Sequence, residues 1–347
     1  MDNFLPSYDS LFFSIMLTIF ISLAIALVTY SWGLYMQRRE KSQLMEFLER
    51  FESSSCVLED TDIPFDESMS KPLLLLAKAF ENSGEYHKTI GIYLYLIKSG
   101  KNDELLEQLA KVYLRAGFLE RAESIFLQVL SRHPRNISAL YQLGVVYELL
   151  RSYKKAIETL EPLEILGEDT KVLRSFWEFE KLQQDETILE NEKIILLIKM
   201  IRDKPKLYRL VIAALFRLSN KTGWEQLQLN RLKESLDLLW YLPSSQLDFD
   251  IIESSDELKK IYFARGDVQH IEKGALEKQS TIVSIDILSA ARYAGEDRGN
   301  ISFSYLCDKC KQSFPIAFKR CHNCLAINSA QVEEYIAKDE EADYSLF

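Results

Sequence analysis

The sequence predicts an all-α protein with three parts: an N-terminal transmembrane helix, a solenoid of paired helices and a small C-terminal four-cysteine metal knuckle. Three observations support this prediction. Residues 11–36 contain no charged side chain, a pattern of small and large apolar residues recurs at intervals of 33 and 34 positions between residues 70 and 170, and four of the five cysteines lie between Cys307 and Cys324. The low counts of glycine (12) and proline (8) among 347 residues favour helices over turns.

The uncharged stretch 11–36 is long enough to cross a bilayer, because roughly 20 residues suffice for a spanning helix. A cleaved signal peptide is the alternative, but such a peptide begins with basic residues, and this chain begins with Asp2 and Asp9 instead. Arg38 and Arg39 follow the stretch directly, which by the positive-inside rule places the C-terminal side in the cytoplasm. We therefore expect a single-pass membrane protein with its larger part facing the cytoplasm.

A repeated pattern occupies the middle of the chain and is clearest in residues 103–136. Ala110 and Ala122 leave room for helices to approach closely, while Tyr113 and Phe126 fill the space between units. The pattern resembles the tetratricopeptide repeat, a pair of antiparallel helices of about 34 residues. Stacked repeats form a groove that binds other proteins. The side chains predicted to line that groove and bind a partner are Lys78, Lys111, Arg115 and Tyr141.

These features divide the chain into consecutive segments. The predicted segments are a short extracytoplasmic N-terminus (1–10), the anchor (11–36), a juxtamembrane linker (37–69), the solenoid (70–294, with clear repeats at 70–102, 103–136 and 137–170 and degenerate ones after them), a linker (295–300), a metal module (301–330) and an acidic tail (331–347). The tail is expected to begin as a helix and to end in solvent.

The cysteines follow the pattern C-x2-C-x10-C-x2-C, formed by Cys307, Cys310, Cys321 and Cys324. Two such hooks supply the four thiolates of a tetrahedral site, which suits one zinc or iron ion. Two disulfides or a redox dithiol are the alternatives, and a reducing cytoplasm disfavours both. His322 could replace a cysteine as ligand, but its position between two ligands makes this a poor geometry. The basic residues beside the hooks could balance the thiolate charge or bind an acidic surface.

Several classes of function are disfavoured by the sequence. The net charge of −10 speaks against nucleic-acid binding, which requires a basic surface. No glycine-rich phosphate loop, GxSxG elbow or HExxH motif occurs, and the scattered histidines have no partner pattern. We therefore predict no catalytic residue and no enzymatic activity.

Three stretches together resemble the lipopolysaccharide assembly protein B family, which joins a membrane anchor, tetratricopeptide repeats and a rubredoxin-like end. The matching residues are Gly33, Tyr35, Arg38 and Arg39 after the anchor, Tyr113, Ala116, Gly117, Arg121, Ala122 and Glu123 in the repeat, and Tyr305 with the four cysteines. The chain departs from the family pattern at three positions, where Gln37 and Lys311 replace glycines and His322 replaces a proline.

The resemblance implies a regulator of lipopolysaccharide biosynthesis, held as a single-pass protein in a bacterial inner membrane. Members of that family act with the membrane protease FtsH to promote degradation of the deacetylase that commits precursor to lipid A, and they gather lipopolysaccharide enzymes. Two other functions stay open from the sequence. One is a scaffold for a different complex, and the other is electron transfer through a rubredoxin-type iron site.

Overall fold

The computed structural model describes Leu17 and residues 20–22, 70–99 and 103–338. The predicted segments 1–10 and 37–69, and most of the anchor 11–36, lie outside these described residues. Within them, no helix is long and apolar enough to cross a membrane. The structure thus contradicts the prediction of a single-pass inner-membrane protein with a transmembrane helix, and we correct it. The longest helices of residues 70–338 have 14 residues each. At 1.5 Å per residue such a helix is about 21 Å long, whereas the hydrocarbon core of a bilayer is about 30 Å thick.

The chain divides into two compact units, one ending at Val146 and one beginning at Tyr147. The described part is mostly helical, as predicted. Its helices are α1 (Ser70–Asn82), α2 (Tyr86–Ser99), α3 (Asp103–Ala116), α4 (Leu119–Arg132), α5 (Ile137–Leu149), α6 (Tyr153–Glu158), α7 (Leu160–Ile165), α8 (Lys171–Gln184), α9 (Glu190–Asp203), α10 (Tyr208–Leu218), α11 (Asn220–Glu225), α12 (Leu232–Trp240), α13 (Phe249–Ser254), α14 (Asp256–Arg265), α15 (Lys273–Glu277) and α16 (Val283–Tyr293).

In the first unit, small residues let paired helices approach and large ones close the gaps. Ala77, Ala110, Ala122 and Phe126 are completely buried, which fits the role that the repeated sequence pattern assigns to them. At the start of α5, the side chain of Asn136 accepts a hydrogen bond from the backbone N–H of Ala139 at 2.9 Å, as an N-cap does.

Glycines end the first helices of the first two pairs. Gly84 and Gly117 both have a positive φ, 77° and 84°, a conformation that costs glycine no steric strain. After α3, the backbone N–H of Phe118 donates to the carbonyl of Tyr113 at 2.9 Å, closing the last turn as in a Schellman motif. The turn reverses the chain into α4.

The corresponding position after α5 is occupied by Arg151 instead of glycine. Arg151 also has a positive φ, 55°, and the N–H of Ser152 donates to the carbonyl of Tyr147 at 2.8 Å. The same turn thus forms in the second unit with a side chain that disfavours it, because a Cβ in the left-handed region clashes with the following carbonyl.

The second unit has a core of large aromatic residues whose polar atoms are satisfied. At most 2% of the surface of each of four residues is exposed, namely Trp177, Trp224, Tyr208 and Tyr262. The hydroxyl of Tyr262 donates to the carbonyl of Leu239 at 3.1 Å. Burial raises the pKa of Tyr262 well above its usual value. These helices carry the C-terminal module.

A three-stranded antiparallel sheet follows the helices, so the prediction of an all-α fold is wrong at this end. The strands are β1 (Gly299–Cys307), β2 (Ser313–Phe314) and β3 (Ala330–Lys338), in the order β2-β1-β3. Along β1 every second residue is buried, namely Ile301, Phe303, Tyr305 and Cys307. This alternation of period two is the signature of a half-buried strand. β3 occupies residues that the sequence analysis assigned to a helical tail.

Candidate metal centre

Two turns of the same geometry hold the four cysteines. In the first turn, the N–H of Lys311 donates to the carbonyl of Cys307 at 3.0 Å, and the N–H of Cys307 donates to the carbonyl of Gln312 at 2.9 Å. The second turn repeats both bonds fourteen residues later. There Leu325 donates to Cys321 at 2.9 Å, and Cys321 donates to Ala326 at 2.8 Å.

Each turn closes on a residue in the left-handed conformation. Lys311 and Leu325 both have φ of 59°. This conformation favours glycine, which the lipopolysaccharide assembly protein B family usually has at the position of Lys311. The departure noted in the sequence therefore falls on a backbone position where a side chain adds strain, and the fold keeps the turn despite it.

Backbone N–H groups point at the sulfurs in the same order in both turns. Cys307 Sγ accepts from the N–H groups of Lys309 and Cys310, and Cys321 Sγ accepts from those of Asn323 and Cys324. The second sulfur of each turn accepts one further N–H two residues on, from Gln312 and Ala326. Such donors stabilise thiolate charge, so the turns are built for ionised sulfurs.

The sulfur positions fit one tetrahedral metal ion. The four Sγ atoms lie within 4.8 Å of one another, and the Cys307–Cys324 and Cys310–Cys321 pairs are both separated by 3.6 Å. A tetrahedral ion with metal–sulfur bonds of about 2.3 Å requires sulfurs about 3.8 Å apart. All four cysteines are free, and 3.6 Å far exceeds the S–S bond of about 2.05 Å. The alternative of two disulfides therefore does not describe this site, and the site could bind a metal ion.

The pKa values of the four thiols support this fit. Burial raises the pKa of Cys307, but N–H donors, that of Cys310 foremost, outweigh it and bring the pKa down to about 6. The backbone N–H of Gln312 lowers the pKa of Cys310. Desolvation raises the pKa of Cys321, and it raises that of Cys324 to about 12. Backbone donors and burial thus act in opposite directions on the four thiols, and a bound dication would favour ionisation of all four together.

A buried ion pair joins the second turn to the helices. Arg320, directly before Cys321, donates from Nε to Oε1 of Glu148 at 2.7 Å and from Nη2 to Oε2. Glu148 lies on α5 and also accepts from Trp177 Nε1 at 2.5 Å. Arg320 Nη1 donates to the carbonyl of Leu325 within the turn. One guanidinium therefore binds both the metal turn and a carboxylate on a helix.

Further contacts join the module to α8, α10 and α12. The hydroxyl of Tyr305 donates to Asp237 at 2.9 Å, and Arg209 pairs with the same carboxylate. Burial, followed by the negative charge of Asp237, raises the pKa of Tyr305 well above its usual value. Lys319 Nζ lies 2.7 Å from a carboxylate oxygen of Glu180. The module is thus built into the second unit through its polar side chains.

The structure places the other residues singled out from the sequence. His322 is exposed and stacks edge-on against Phe314, with ring centroids 5.9 Å apart, and it is not part of the four-sulfur group. Phe303 lies against Tyr241, with ring centroids 5.5 Å apart. Of the basic residues, Lys319 pairs with Glu180 and Arg320 pairs with Glu148, both on helices.

The four predicted partner-binding residues all lie in the first unit. Lys78 is exposed on α1, and Tyr141 is half-buried on α5. Lys111 pairs with Glu107 at 2.6 Å, and Arg115 pairs with Glu81 at 2.5 Å. Two of the four are thus held by carboxylates of the same unit, and their role in binding a partner stays a prediction.

Sequence analysis missed the residues that seat the module, above all Glu148. One signal was present, because Glu148 is the single charged residue in the apolar run from Leu143 to Leu150. A carboxylate in such a run is buried and requires a partner. The identity of that partner could not be read from the sequence.

Comparison with known proteins gives a partial likeness. No protein-family profile matches the chain. Over 101 residues the chain is 35% identical to Lipopolysaccharide assembly protein B of Escherichia coli (strain K12). These residues make up 28% of this chain and 26% of that protein. Over 130 residues it is 25% identical to the protein of the same name from Haemophilus influenzae, 35% of this chain and 33% of that protein. The chain thus matches about a quarter to a third of the length of these relatives.

Two solved structures give weaker likenesses. A tetratricopeptide repeat protein from Parabacteroides merdae covers 72% of this chain and 96% of that chain, with 15% identity and a TM-score of 0.38. A double mutant named MamA RS-1 ArsTM covers 45% of this chain and 89% of that chain, with 19% identity and a TM-score of 0.36. TM-scores this low carry no argument about this chain.

Proposed function

We propose that this chain is a non-enzymatic adaptor that regulates lipopolysaccharide biosynthesis. The observation that carries the proposal is the 35% identity over 101 residues with a protein whose name assigns it to lipopolysaccharide assembly. The mostly helical fold, with its tetratricopeptide-like helix pairs, suits an adaptor, because paired helices present extended faces to other proteins.

The four cysteines Cys307, Cys310, Cys321 and Cys324 hold one zinc or iron ion in this proposal, and the ion's role is structural. The sulfur spacing supports ligation, and the contact of Arg320 with Glu148 supports a structural role. An ion in the second turn stabilises the segment that positions the guanidinium. In such small modules the free energy of metal binding is also free energy of folding. Metal loading would therefore decide whether this end of the adaptor is formed.

The finer proposal concerns the target. The chain would present the lipid A deacetylase to an FtsH-type protease, or bring lipopolysaccharide enzymes together. The first unit, with Lys78, Lys111, Arg115 and Tyr141, would provide one partner surface. The resemblance of the repeat and cysteine residues to the lipopolysaccharide assembly protein B family supports this choice over a scaffold for another complex.

The test is replacement of the related protein in living cells. Escherichia coli depleted of its own Lipopolysaccharide assembly protein B would express this chain, and the half-life of the deacetylase would be followed by immunoblot after protein synthesis is stopped. We expect the chain to shorten the half-life at least twofold. A matched strain would express the Cys307→Ser variant, which should fail to do so.

Affinity capture of the full chain from the same cells, with the captured proteins identified by mass spectrometry, distinguishes a lipopolysaccharide regulator from a scaffold for another complex. Enrichment of the protease and of lipopolysaccharide enzymes agrees with the proposal. An unchanged half-life together with a reproducible set of unrelated partners would overturn the lipopolysaccharide role and favour a scaffold for another complex.

A further inference from the structure

A cavity of about 1090 Å³ lies in the second unit, where the sheet and the second metal turn meet the helices. Its walls include Phe179 and Phe216 from the helices, Trp240 at the end of α12, and Phe318 from the segment before the second turn. Ligand pockets typically have volumes of about 300–1,000 Å³ with mostly apolar walls and a few polar groups. This cavity is slightly larger than that range, so it can hold more than a small ion.

The charged groups of the cavity are mainly cationic, although the chain as a whole carries −10. The two carboxylates in its lining are Asp267 and Asp297, and the cations are Arg209, Arg217, Arg265, Arg292 and Lys319. An excess of positive charge between low-dielectric walls concentrates anions. The cavity therefore favours an acidic ligand with apolar parts.

Three of these cations are already held by the protein. Arg209 pairs with Asp237, Arg265 pairs with Asp267, and Lys319 pairs with Glu180. Arg265 also donates to three backbone carbonyls at the end of α12. The charges of these three groups are therefore largely neutralised by carboxylates of the protein, and their role is to form the cavity wall.

Arg217 and Arg292 differ, since neither has a carboxylate within ion-pair distance in the described part of the chain. Arg217 is exposed, and among the described residues its one hydrogen bond runs from Nε to the carbonyl of Ala213 on its own helix, at 3.4 Å. Arg292 lies against Gly266, where a Cβ would be 2.1 Å from its Nη1. Gly266 has φ of 103° and thereby both ends α14 and leaves space for this guanidinium. The cavity thus presents two guanidinium groups free to bind carboxylates.

The strand pairing places the end of β3 beside the cavity. Lys338, the last residue of β3, pairs with Gly299, and both Gly299 and Asn300 line the cavity. The residues that follow, 339–347, read DEEADYSLF and combine four acids with Tyr344, Leu346 and Phe347. Nine residues span up to about 30 Å when extended. The segment has the length, the charge and the apolar side chains that the cavity requires.

We propose that the cavity is a binding site for an acidic peptide with aromatic residues, and that its occupant is the segment 339–347 of the same chain. Carboxylates of the segment pair with Arg217 and Arg292, and its apolar residues enter the aromatic walls. A short tether gives an effective concentration of the order of millimolar. A weak intrinsic affinity is therefore enough for occupancy. This inference does not depend on the role in lipopolysaccharide biosynthesis.

The first experiment measures competition by the chain's own segment. A fluorescein-labelled peptide with the sequence of residues 339–347 is titrated with the full chain and followed by fluorescence anisotropy. A second full chain carries Asp339→Asn, Glu340→Gln, Glu341→Gln and Asp343→Asn, which neutralise the segment. We expect the neutralised chain to bind the peptide at least fivefold more tightly, because its own segment no longer competes.

Charge reversal locates the site. In the neutralised chain, Arg217→Glu with Arg292→Glu should weaken peptide binding at least tenfold. The matched control is Lys221→Glu with Lys273→Glu, two exposed lysines of the same unit outside the cavity lining, and it should change affinity less than twofold. Circular dichroism verifies that every variant is folded. Equal affinity of the original and neutralised chains, or equal weakening by both reversals, would overturn the proposal.

Photo-crosslinking distinguishes the chain's own segment from that of another copy. Benzoylphenylalanine replaces Tyr344 in the full chain, and crosslinked peptides are mapped by mass spectrometry in a mixture of isotope-labelled and unlabelled protein. Crosslinks to the cavity walls within one chain, independent of protein concentration and lost in the Arg217 and Arg292 reversals, support the proposal. Crosslinks between two chains, or to surfaces elsewhere, contradict it.

Discussion

Arg320 and Glu148 are 172 positions apart in the sequence, yet the guanidinium of Arg320 binds both oxygens of the Glu148 carboxylate. Each residue is less than a tenth exposed, 9% and 8%. The pair lies directly beside Cys321 and so connects a candidate metal ligand to helix α5. A buried ion pair gives little net stability by itself, but it is costly to leave half of it unpaired.

Removing one member of this pair should therefore be strongly destabilising. We expect Arg320→Met or Glu148→Gln to lower the free energy of unfolding by about 3–5 kcal/mol, measured by urea titration of the full chain. The double variant should cost clearly less than the sum of the two, since no unpaired charge remains. Lys233→Met, at an exposed lysine 3.8 Å from Glu334, is the matched control and should change stability by less than about 0.5 kcal/mol. Additive effects of the two substitutions would contradict the coupling.

The four-sulfur geometry predicts one metal ion per chain. Cys307→Ser should abolish binding, because the site loses a buried ligand, while His322→Ala should leave it unchanged, because the imidazole stacks on Phe314 outside the sulfur group. Metal per chain is measured by inductively coupled plasma mass spectrometry. Hydrogen exchange should rise in residues 307–329 of the Cys307→Ser chain, since metal binding and folding are linked. Metal loss from His322→Ala would contradict this assignment.

The strain at the first metal turn can be tested at Lys311. Because Lys311 adopts φ of 59°, we expect Lys311→Gly to stabilise the protein by about 0.5–1 kcal/mol and Lys311→Val to destabilise it by more. Thermal unfolding of the metal-loaded chain measures both. Lys309→Gly, two positions earlier in the same turn and without a positive φ, is the control and should not stabilise. The opposite order of Lys311→Gly and Lys311→Val would exclude a left-handed residue here.

The turn after α5 offers an independent test of the same physics outside the two cysteine turns. Arg151 has φ of 55° where the two preceding repeats have Gly84 and Gly117, so Arg151→Gly should raise the free energy of unfolding by about 0.5–1 kcal/mol. Gln128→Gly, at an exposed helical position of α4, should lower it by about 1 kcal/mol. Chemical denaturation compares the two. A loss of stability in Arg151→Gly would show that contacts of the arginine side chain stabilise the protein by more than its positive φ destabilises it.

Acid should weaken the contact between α14 and α16. Burial raises the pKa of Asp286, but hydrogen bonds from Lys260 and from the N–H of Ser280 outweigh it and hold the pKa below its usual value of 3.8. The stability that this carboxylate adds is thus complete above pH 3.8 and is lost as the pH falls through the lower folded-state pKa. Stability curves between pH 2 and 6 should be flatter for Asp286→Asn than for the original chain. Parallel curves for the two chains would rule out this contribution.

Much of the local structure could be predicted from the sequence. The spacing of small and aromatic residues by 33 and 34 positions predicted the first helix pairs. Within each helix, residues three and four positions apart lie on one face, so the buried face can be identified from nearby residues. The cysteine spacing placed the four sulfurs, because two short hooks need only one hairpin to meet. The prediction failed for β1 and β3. Ile301, Phe303 and Tyr305 alternate with polar residues, but the strand forms only by pairing with residues 330–338, which lie far along the chain.

Other features depended on contacts between distant parts of the chain. The sequence by itself determined the helix pairs, their turns and the identity of the candidate metal ligands, since each depends on residues close together along the chain. Only the tertiary structure decided that Arg320 meets Glu148, that Tyr305 meets Asp237 and that five cations surround one cavity. The physical reason is that burying a charge is unfavourable until a partner is present. The sequence therefore shows that Glu148 needs a partner, and the packing of distant elements selects which residue that partner is.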